Sequence, residues 1–295
     1  MTGLEEVLAE ALGAPVAIRA SEPHLYRSTF GTFVVACEVA GERQTLFCKV
    51  GPTVYESGHG HRGGVAREAA VYRLVLAPRR LGPPFRGAAE RGGETWLVLE
   101  HLGHATRLVH ASEPPLLPAA RWAAAFHALE ERARPAFVPA YDRDYYLGWS
   151  RRARALGRAE GLSGAMLARL DTLCDRYEAA VPALLAAPQT LIHGEYGPKN
   201  ILVDEEAVWP VDWESAACAP GEIDLAGVVH GWDELSVRAA AAAYREVRWP
   251  EGAPAEHPRT FAAARLYWLL RWLGDDELWE ANGGFGDWLG EIAVA

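Results

Sequence analysis

The sequence predicts an α+β fold with a strand-rich N-terminal lobe and a mostly helical C-terminal lobe. Apolar, β-branched runs at 32–39, 45–50 and 95–100 are typical of buried strands. From about residue 118 onward, apolar residues recur at helical spacing over 118–133, 163–186, 234–247 and 259–281. The change falls near 101–105 without a flexible linker, so we expect two tightly packed lobes, 1–101 and 102–295.

The order of elements in the N-terminal lobe follows from its turn residues. A turn at Gly41-Glu42 joins the first two strands into a hairpin. A loop rich in glycine and histidine (56–64) then leads into a helix over 65–76, which the segment LGPPFRGA ends. Within the helical part, the segment 190–213 is a short strand-rich insert.

Bulk composition excludes several classes of protein. The 295 residues are 50% hydrophobic and 23% charged, as in an ordinary folded domain. A net charge of −10 argues against a general nucleic-acid binder. Four scattered cysteines without C-x-x-C pairs predict neither a zinc site nor a disulfide framework, and no apolar run is long enough to span a membrane. We therefore expect a cytoplasmic protein, monomeric or homodimeric.

Lysine is rare in this chain. Of 29 Lys and Arg residues only Lys49 and Lys199 are lysine, in an Ala- and Arg-rich background typical of a GC-rich genome. A lysine kept against this bias suggests a site that needs a compact ammonium group rather than a planar guanidinium.

The segment HGEYGPKN, residues 193–200, carries the strongest chemical signal. Phosphoryl transfer needs a carboxylate for the attacking hydroxyl, oxygen ligands for Mg²⁺ and a cation for the phosphates. Glu195 fits the first role, Asn200 and Asp212 the second, and Lys49 the third. Gly197 and Pro198 favour a turning loop, and oxygen donors without nearby His or Cys ligands indicate a hard cation.

The motifs HGEYGPKN and DWE (212–214) resemble the catalytic loop and metal motif of the aminoglycoside phosphotransferase and choline kinase-like group, relatives of protein kinases. Order and spacing match over roughly residues 20 to 290. The resemblance implies a two-lobe protein-kinase-like fold, ATP or GTP as phosphate donor, Mg²⁺, and a small-molecule acceptor.

The resemblance also assigns the nucleotide-binding residues. Lys49 resembles the phosphate-contacting lysine of the third strand, and Glu68 its helix partner. The backbone that would hydrogen-bond the adenine is that of Leu99, Glu100 and His101. Lys199 is either a solvent-facing lysine or a phosphate contact.

Two departures from the family pattern stand out. The family's catalytic aspartate is Glu195 here, one methylene longer, which shifts the carboxylate by about 1 Å. The glycine-rich loop is reduced to one glycine, so phosphate binding there would rest on Ser28, Thr29 and backbone N–H groups.

Other residues have structural readings beside functional ones. His193 and Asp224 are expected to be structural braces of the catalytic loop, Asp224 by resemblance to the family's D-L-A segment. His59 and His61 could suggest a metal, but a mobile loop explains them better. Possible acceptor-binding residues are Asp142 and Asp144, which docking of a surface loop explains as well, and Trp268 and Trp272, which core packing explains by default. Glu214 and Asp233 are further candidates for binding a cationic acceptor.

The sequence thus favours a small-molecule kinase that phosphorylates an aminoglycoside-like, amino-sugar, sugar or amino-alcohol hydroxyl. A nucleotide-binding pseudokinase is the alternative, with Glu195 marking lost catalysis. A protein kinase is disfavoured because only eleven residues separate Asp212 from Asp224, which leaves no room for a long activation segment.

Overall fold

The computed structural model describes residues 2–25, 29–55, 57, 59–111, 115–129, 135–205 and 207–275. The chain forms two compact units. The first comprises Met1–Ala119, Pro135–Pro139 and His193–Ala216; the second comprises Ala120–Arg134, Ala140–Ile192 and Ala217–Ala295.

A five-stranded antiparallel sheet dominates the first unit. Its strands are β1 (Val16–Pro23), β2 (Gly31–Val39), β3 (Glu42–Pro52), β4 (Phe85–Arg91) and β5 (Glu94–Glu100), in the order β1-β2-β3-β5-β4. The buried apolar side chains alternate along β2 (Val35 and Cys37) and along β3 (Leu46 and Cys48), because side chains along a strand point to opposite faces. Strands β2, β3 and β5 pack against helix α1 (Thr2–Leu12) and form a core that contains Leu8, Val35, Leu46 and Val98.

The predicted hairpin is confirmed as β2–β3, with Val39 paired to Glu42. Its turn lies at Ala40 and Gly41, one residue earlier than predicted. Both have positive φ, 49° and 90°, which a two-residue turn between twisted strands requires. Strands β1 and β4 were not predicted.

Helix α2 (Gly64–Val71) occupies the start of the helix predicted over 65–76. It continues as a π-helical turn, Tyr72–Leu76, and a 3₁₀ turn, Ala77–Arg79. The segment LGPPFRGA ends the helix as predicted, but its last four residues begin strand β4 instead of remaining a loop.

A small three-stranded sheet carries the predicted catalytic loop. Its strands are β6 (Thr106–Arg107), β8 (Ile201–Val203) and β9 (Val208–Pro210), in the order β6-β8-β9. Short 3₁₀ turns at Pro198–Asn200 and Trp213–Ser215 lie before β8 and after β9. Both motifs singled out in the sequence therefore belong to the first unit.

The second unit is mostly helical, as predicted. Helix α3 (Leu116–Leu129) enters it at Ala120, followed by α4 (Arg143–Ala159), α5 (Gly164–Ala186), α6 (Glu222–Val228), α7 (Glu234–Arg248) and α8 (His257–Gly274). Strands β7 (Gln189–Ile192) and β10 (Ala217–Pro220) pair antiparallel. Helix α4 was not predicted. None of the helices in the described ranges is long and apolar enough to cross a membrane.

A buried polar network lies in the second unit. The Asp224 carboxylate is 3.1 Å from Nε2 of His127, and the Tyr244 hydroxyl is 2.8 Å from Nδ1. A neutral His127 would donate from Nε2 to the carboxylate and accept the Tyr244 proton at Nδ1. A Cβ on Gly221 would lie 2.5 Å from both His127 Nδ1 and Tyr244 Oη, so only glycine fits beside the network.

We predict that Tyr244→Phe lowers the free energy of unfolding by about 1–3 kcal/mol, because it removes hydrogen bonds to the buried His127 and Arg248 side chains. Tyr72→Phe is the matched control, since within the described ranges the buried Tyr72 hydroxyl has no hydrogen-bond partner. Because its removal breaks no hydrogen bond, Tyr72→Phe should change the free energy of unfolding by less than about 0.5 kcal/mol. Urea unfolding of both variants measures the difference; equal losses would contradict the assigned role of the network.

Candidate active site

The site centres on a buried ion triad in the first unit. Lys49 lies on β3, the middle strand of the sheet, and its ammonium group donates to Glu68 Oε2 at 2.7 Å and to Asp212 Oδ1 at 2.6 Å. The side chains of Lys49 and Glu68 are 4% and 3% exposed, whereas that of Asp212 is 34% exposed. Three distant segments are thereby joined, with one carboxylate partly open to solvent.

The two carboxylates of the triad act on Lys49, and Lys49 acts on each of them. Burial disfavours the Lys49 ammonium, but Asp212 and Glu68 outweigh it and raise the pKa of Lys49 well above its usual value. Burial would also raise the pKa of the Asp212 carboxyl, but the charge of Lys49 outweighs it and lowers that pKa. Burial raises the pKa of Glu68 despite the opposing effect of Lys49. Asp212 is thus the carboxylate most strongly held in its ionised form.

His193 anchors the loop that carries Glu195. The backbone N–H of Glu195 donates to His193 Nδ1 at 3.2 Å, so that nitrogen carries no proton and Nε2 donates to the Val211 carbonyl at 2.9 Å. Gly194 has φ +82°, and a Cβ there would lie 2.1 Å from the Ser215 carbonyl oxygen. The loop is therefore fixed by both its histidine and its glycine.

Asn200 and Asp212 are the residues suited to hold a metal. The Asn200 side-chain amide donates to the Glu195 carbonyl at 3.1 Å, which leaves Oδ1 as its ligand atom. Asp212 adopts a left-handed backbone (φ 71°, ψ 59°), a conformation that aspartate tolerates better than most residues. No cluster of three or more His, Cys, Asp or Glu suited to a metal occurs within the described ranges. Two oxygen donors fit Mg²⁺, which takes its remaining ligands from phosphates and water.

Three residues around Glu195 were not predicted to contact it. Ser215 Oγ donates to Glu195 Oε1 at 3.2 Å, and Arg62 Nε lies 3.4 Å and His61 Nε2 3.9 Å from the same oxygen. His61 lies in the loop before α2, as predicted, but its side chain is buried. The sequence offered little reason to select Arg62, because arginine is common in this chain. The two glycines that follow it were the one sign of a closely packed loop.

Glu214, considered above as an acceptor-binding residue, is instead buried beside the other carboxylates. Its Oε1 lies 3.7 Å from Arg62 Nε. Burial, and then the negative charge of Asp212, raise the pKa of Glu214 to about 8.

The residues assigned to the nucleotide lie on or beside the sheet. The backbone N–H groups of Glu100 and His101 donate to the carbonyls of Pro84 and Thr45, and Leu99 is buried on β5.

The remaining nucleotide assignments concern two loops. Lys199 is exposed, and the Arg107 guanidinium donates to its carbonyl. Thr29 is exposed and precedes the buried Phe30, whose ring lies 5.5 Å from the Lys49 ammonium. Ser28 lies outside the described residues.

The other acceptor candidates belong to the second unit. Asp142 caps α4 by accepting from the Tyr145 N–H, and Asp233 caps α7 by accepting from two backbone N–H groups. Trp268 is buried, with Trp272 edge-on to it at 6.3 Å between ring centroids. Asp144 is exposed in the first turn of α4. Helix capping therefore explains Asp142 and Asp233, and packing explains Trp268 and Trp272; neither explains Asp144.

We predict that stability falls as pH rises because of Glu214. Its folded-state pKa of about 8 exceeds the ordinary value of 4.5, so between these values the folded chain holds a proton that the unfolded chain releases. The group therefore contributes a loss of at most about 1.4 kcal/mol per pH unit over this interval. In Mg²⁺-free buffer, the free energy of unfolding of the wild type minus that of Glu214→Gln should fall from pH 5 to pH 8. A difference that stays constant from pH 5 to pH 8 would contradict the prediction.

Comparison with known proteins identifies relatives of this chain. Residues 38–259 match the family model described as "Phosphotransferase enzyme family". The N-acetylmuramate/N-acetylglucosamine kinase of Pseudomonas aeruginosa is 28% identical over 225 residues, which are 72% of this chain and 54% of that protein. The chain thus spans about half the length of this curated relative.

Solved structures share the fold over nearly the whole chain. A spectinomycin phosphotransferase in complex with ADP and spectinomycin has a TM-score of 0.68 at 13% identity, covering 98% of this chain and 93% of its own. The choline kinase LicA from Streptococcus pneumoniae has a TM-score of 0.65 at 13% identity, covering 99% and 96%. The predicted protein-kinase-like fold is confirmed. With three quarters of its length matched by the family model, the chain belongs to the phosphotransferase enzyme family.

Proposed function

We propose that this chain is a small-molecule kinase that transfers the γ-phosphate of ATP or GTP, as its Mg²⁺ complex, to an acceptor hydroxyl. The observation that carries the proposal is the buried Lys49 ammonium between Glu68 and Asp212, with Glu195 and Asn200 joined on the adjoining loop. Binding of a metal–nucleotide complex requires a cation for the phosphates and a carboxylate for the metal, and Lys49 and the partly exposed Asp212 lie side by side to supply them.

Each residue has a separate task in this reaction. Lys49 neutralises the α- and β-phosphates, and Asn200 and Asp212 hold the metal. Bound Mg²⁺ would supply charge neutralisation for the transferring phosphoryl group. The Glu195 carboxylate orients the acceptor hydroxyl and takes its proton. Because the transition state is loose, positioning and charge contribute more than the strength of the base.

We rank amino sugars first among the acceptors, including aminoglycoside-like antibiotics, ahead of other sugars and amino alcohols. The support is the kinase relative, whose name gives two N-acetylated sugars, and the spectinomycin phosphotransferase among the similar structures. An antibiotic acceptor would make the activity a resistance mechanism. We assign nucleotide binding mainly to residues 1–101 and acceptor binding to 102–295.

A pseudokinase is the second candidate, favoured by one observation. Glu195 is buried and its Oε1 is already within reach of Arg62 and Ser215. Such a carboxylate could serve only to hold the loop, with nucleotide binding retained for regulation.

The first test is Mg²⁺-dependent consumption of ATP and of GTP across a panel of aminoglycosides, N-acetylated amino sugars, sugars and amino alcohols. We expect one acceptor class to stimulate consumption at least tenfold. Asp212→Asn should abolish it, because that variant loses a metal ligand and the charge facing Lys49. Consumption that is equal with and without every acceptor would argue against the proposal.

The role of Glu195 separates the two candidates. In a kinase, Glu195→Gln should lower kcat by about 10²–10⁴-fold, because the amide cannot accept the hydroxyl proton. Affinity for Mg²⁺-nucleotide, measured by calorimetry, should stay within about threefold, because the carboxylate contacts the acceptor. Tight nucleotide binding without turnover in the wild type, and turnover gained on Glu195→Asp, would instead establish the pseudokinase.

A further inference from the structure

Arg62 is a buried arginine between two acidic residues of the site. Its Nε lies 3.4 Å from Glu195 Oε1 and 3.7 Å from Glu214 Oε1, and its side chain is 6% exposed. Ser215 donates to the same Glu195 oxygen. The end of the Glu195 side chain is therefore contacted by a cation and by a hydroxyl.

The backbone around Arg62 is tied directly to the DWE segment. The Gly63 N–H donates to the Glu214 carbonyl at 2.8 Å. One nitrogen of Arg67 donates both to the His61 carbonyl at 2.9 Å and to the Glu214 carbonyl at 3.3 Å. The Arg62 N–H donates to Ser57 Oγ at 3.2 Å. Residues before and after Arg62 are thus fixed relative to Glu214.

Glycine allows this close approach. Gly64 has φ +61°, and a Cβ there would lie 2.9 Å from Tyr55 Cβ. A Cβ on Gly63 would lie 2.0 Å from the Arg67 side chain that pins the loop. The glycines that suggested a mobile loop in the sequence instead permit a fixed one.

A glutamate in the catalytic position creates a need for such contacts. Compared with aspartate it has one more rotatable bond, so its carboxylate samples more positions and more conformational entropy is lost on holding it. Displacing a reacting group by about 1 Å can cost about 10²-fold in rate. Contacts at the far end of the side chain remove that freedom.

We propose that Arg62 is the positioning residue of Glu195. Its guanidinium, together with the Ser215 hydroxyl, holds the longer carboxylate within hydrogen-bonding distance of the place where the acceptor hydroxyl would bind. This inference rests on the proposed kinase function. Arg62 acts through Glu195, so its loss should change kcat rather than the binding of nucleotide.

The test is a double-mutant cycle between Arg62→Met and Glu195→Asp, which measures the coupling of the two side chains. In the Glu195 background, Arg62→Met should lower kcat about 10- to 100-fold, with the KM for nucleotide within about threefold. In the Glu195→Asp background the shorter carboxylate no longer reaches Arg62, so the same change should cost less than about threefold. Arg62→Lys should lie between, since it keeps the charge but not the planar fork.

A matched control is Arg154→Met. Arg154 forms ion pairs with Asp171, Asp175 and Glu178 in the second unit, so its loss should lower the melting temperature and leave kcat unchanged. Melting temperature and Mg²⁺-nucleotide affinity show whether each variant is folded. If Arg62→Met does not fold, the kcat of Arg62→Lys is used in its place to test the inference.

Three outcomes overturn the inference alone: Arg62 variants with a kcat within about twofold of wild type, equal costs in the two backgrounds, or a higher kcat. The last would make Arg62 an inhibitory lock on Glu195. A wild type that turns over no acceptor overturns the proposed function first, and this inference with it.

Discussion

The structure of the site depends on one buried ammonium group. Lys49 is almost wholly excluded from water, and a lone buried charge is too costly to keep. Its burial is possible only because Glu68 and Asp212 both lie within 2.7 Å, which requires β3, α2 and the end of the β8–β9 hairpin to meet. Removing either carboxylate would leave a poorly compensated charge, so the fold and the site are constrained by the same three residues.

Further acids surround the triad, and each is stabilised differently. Glu195 and Glu214 both lie near Arg62, a second buried cation supplied by the loop before α2. Glu214 also holds a proton near neutral pH because of its burial and its acidic neighbours. Each buried cation of the site, Lys49 or Arg62, therefore lies between two acidic residues. Asp212 remains the partly exposed, ionised carboxylate. A metal-bound nucleotide would add its own charges at that open position.

Much of this arrangement was predictable, because the residues that bear the chemistry occur in motifs with fixed spacing. Lys49, Glu68 and Asp212 were assigned to one site from sequence, and the structure brings them into contact. Strand β4 was missed because it follows Gly82, Pro83 and Pro84, which read as a loop; α4 was missed because its acids and aromatics resembled a surface segment. Arg62 was missed because its importance comes from a tertiary contact 133 residues away, and local sequence carries no record of such a contact.

Asn200 and Asp212 are proposed to hold a metal against nucleotide phosphates bound at Lys49. Calorimetric titration of ATP with and without Mg²⁺, for the wild type and for Asn200→Ala, tests this most directly, because Asn200 lies outside the buried ion triad that supports the fold. If these residues hold the metal, Mg²⁺ should tighten ATP binding to the wild type at least tenfold, and the variant should lose most of this gain. Equal affinity with and without Mg²⁺ in the wild type, or an undiminished gain in the variant, would contradict this proposal.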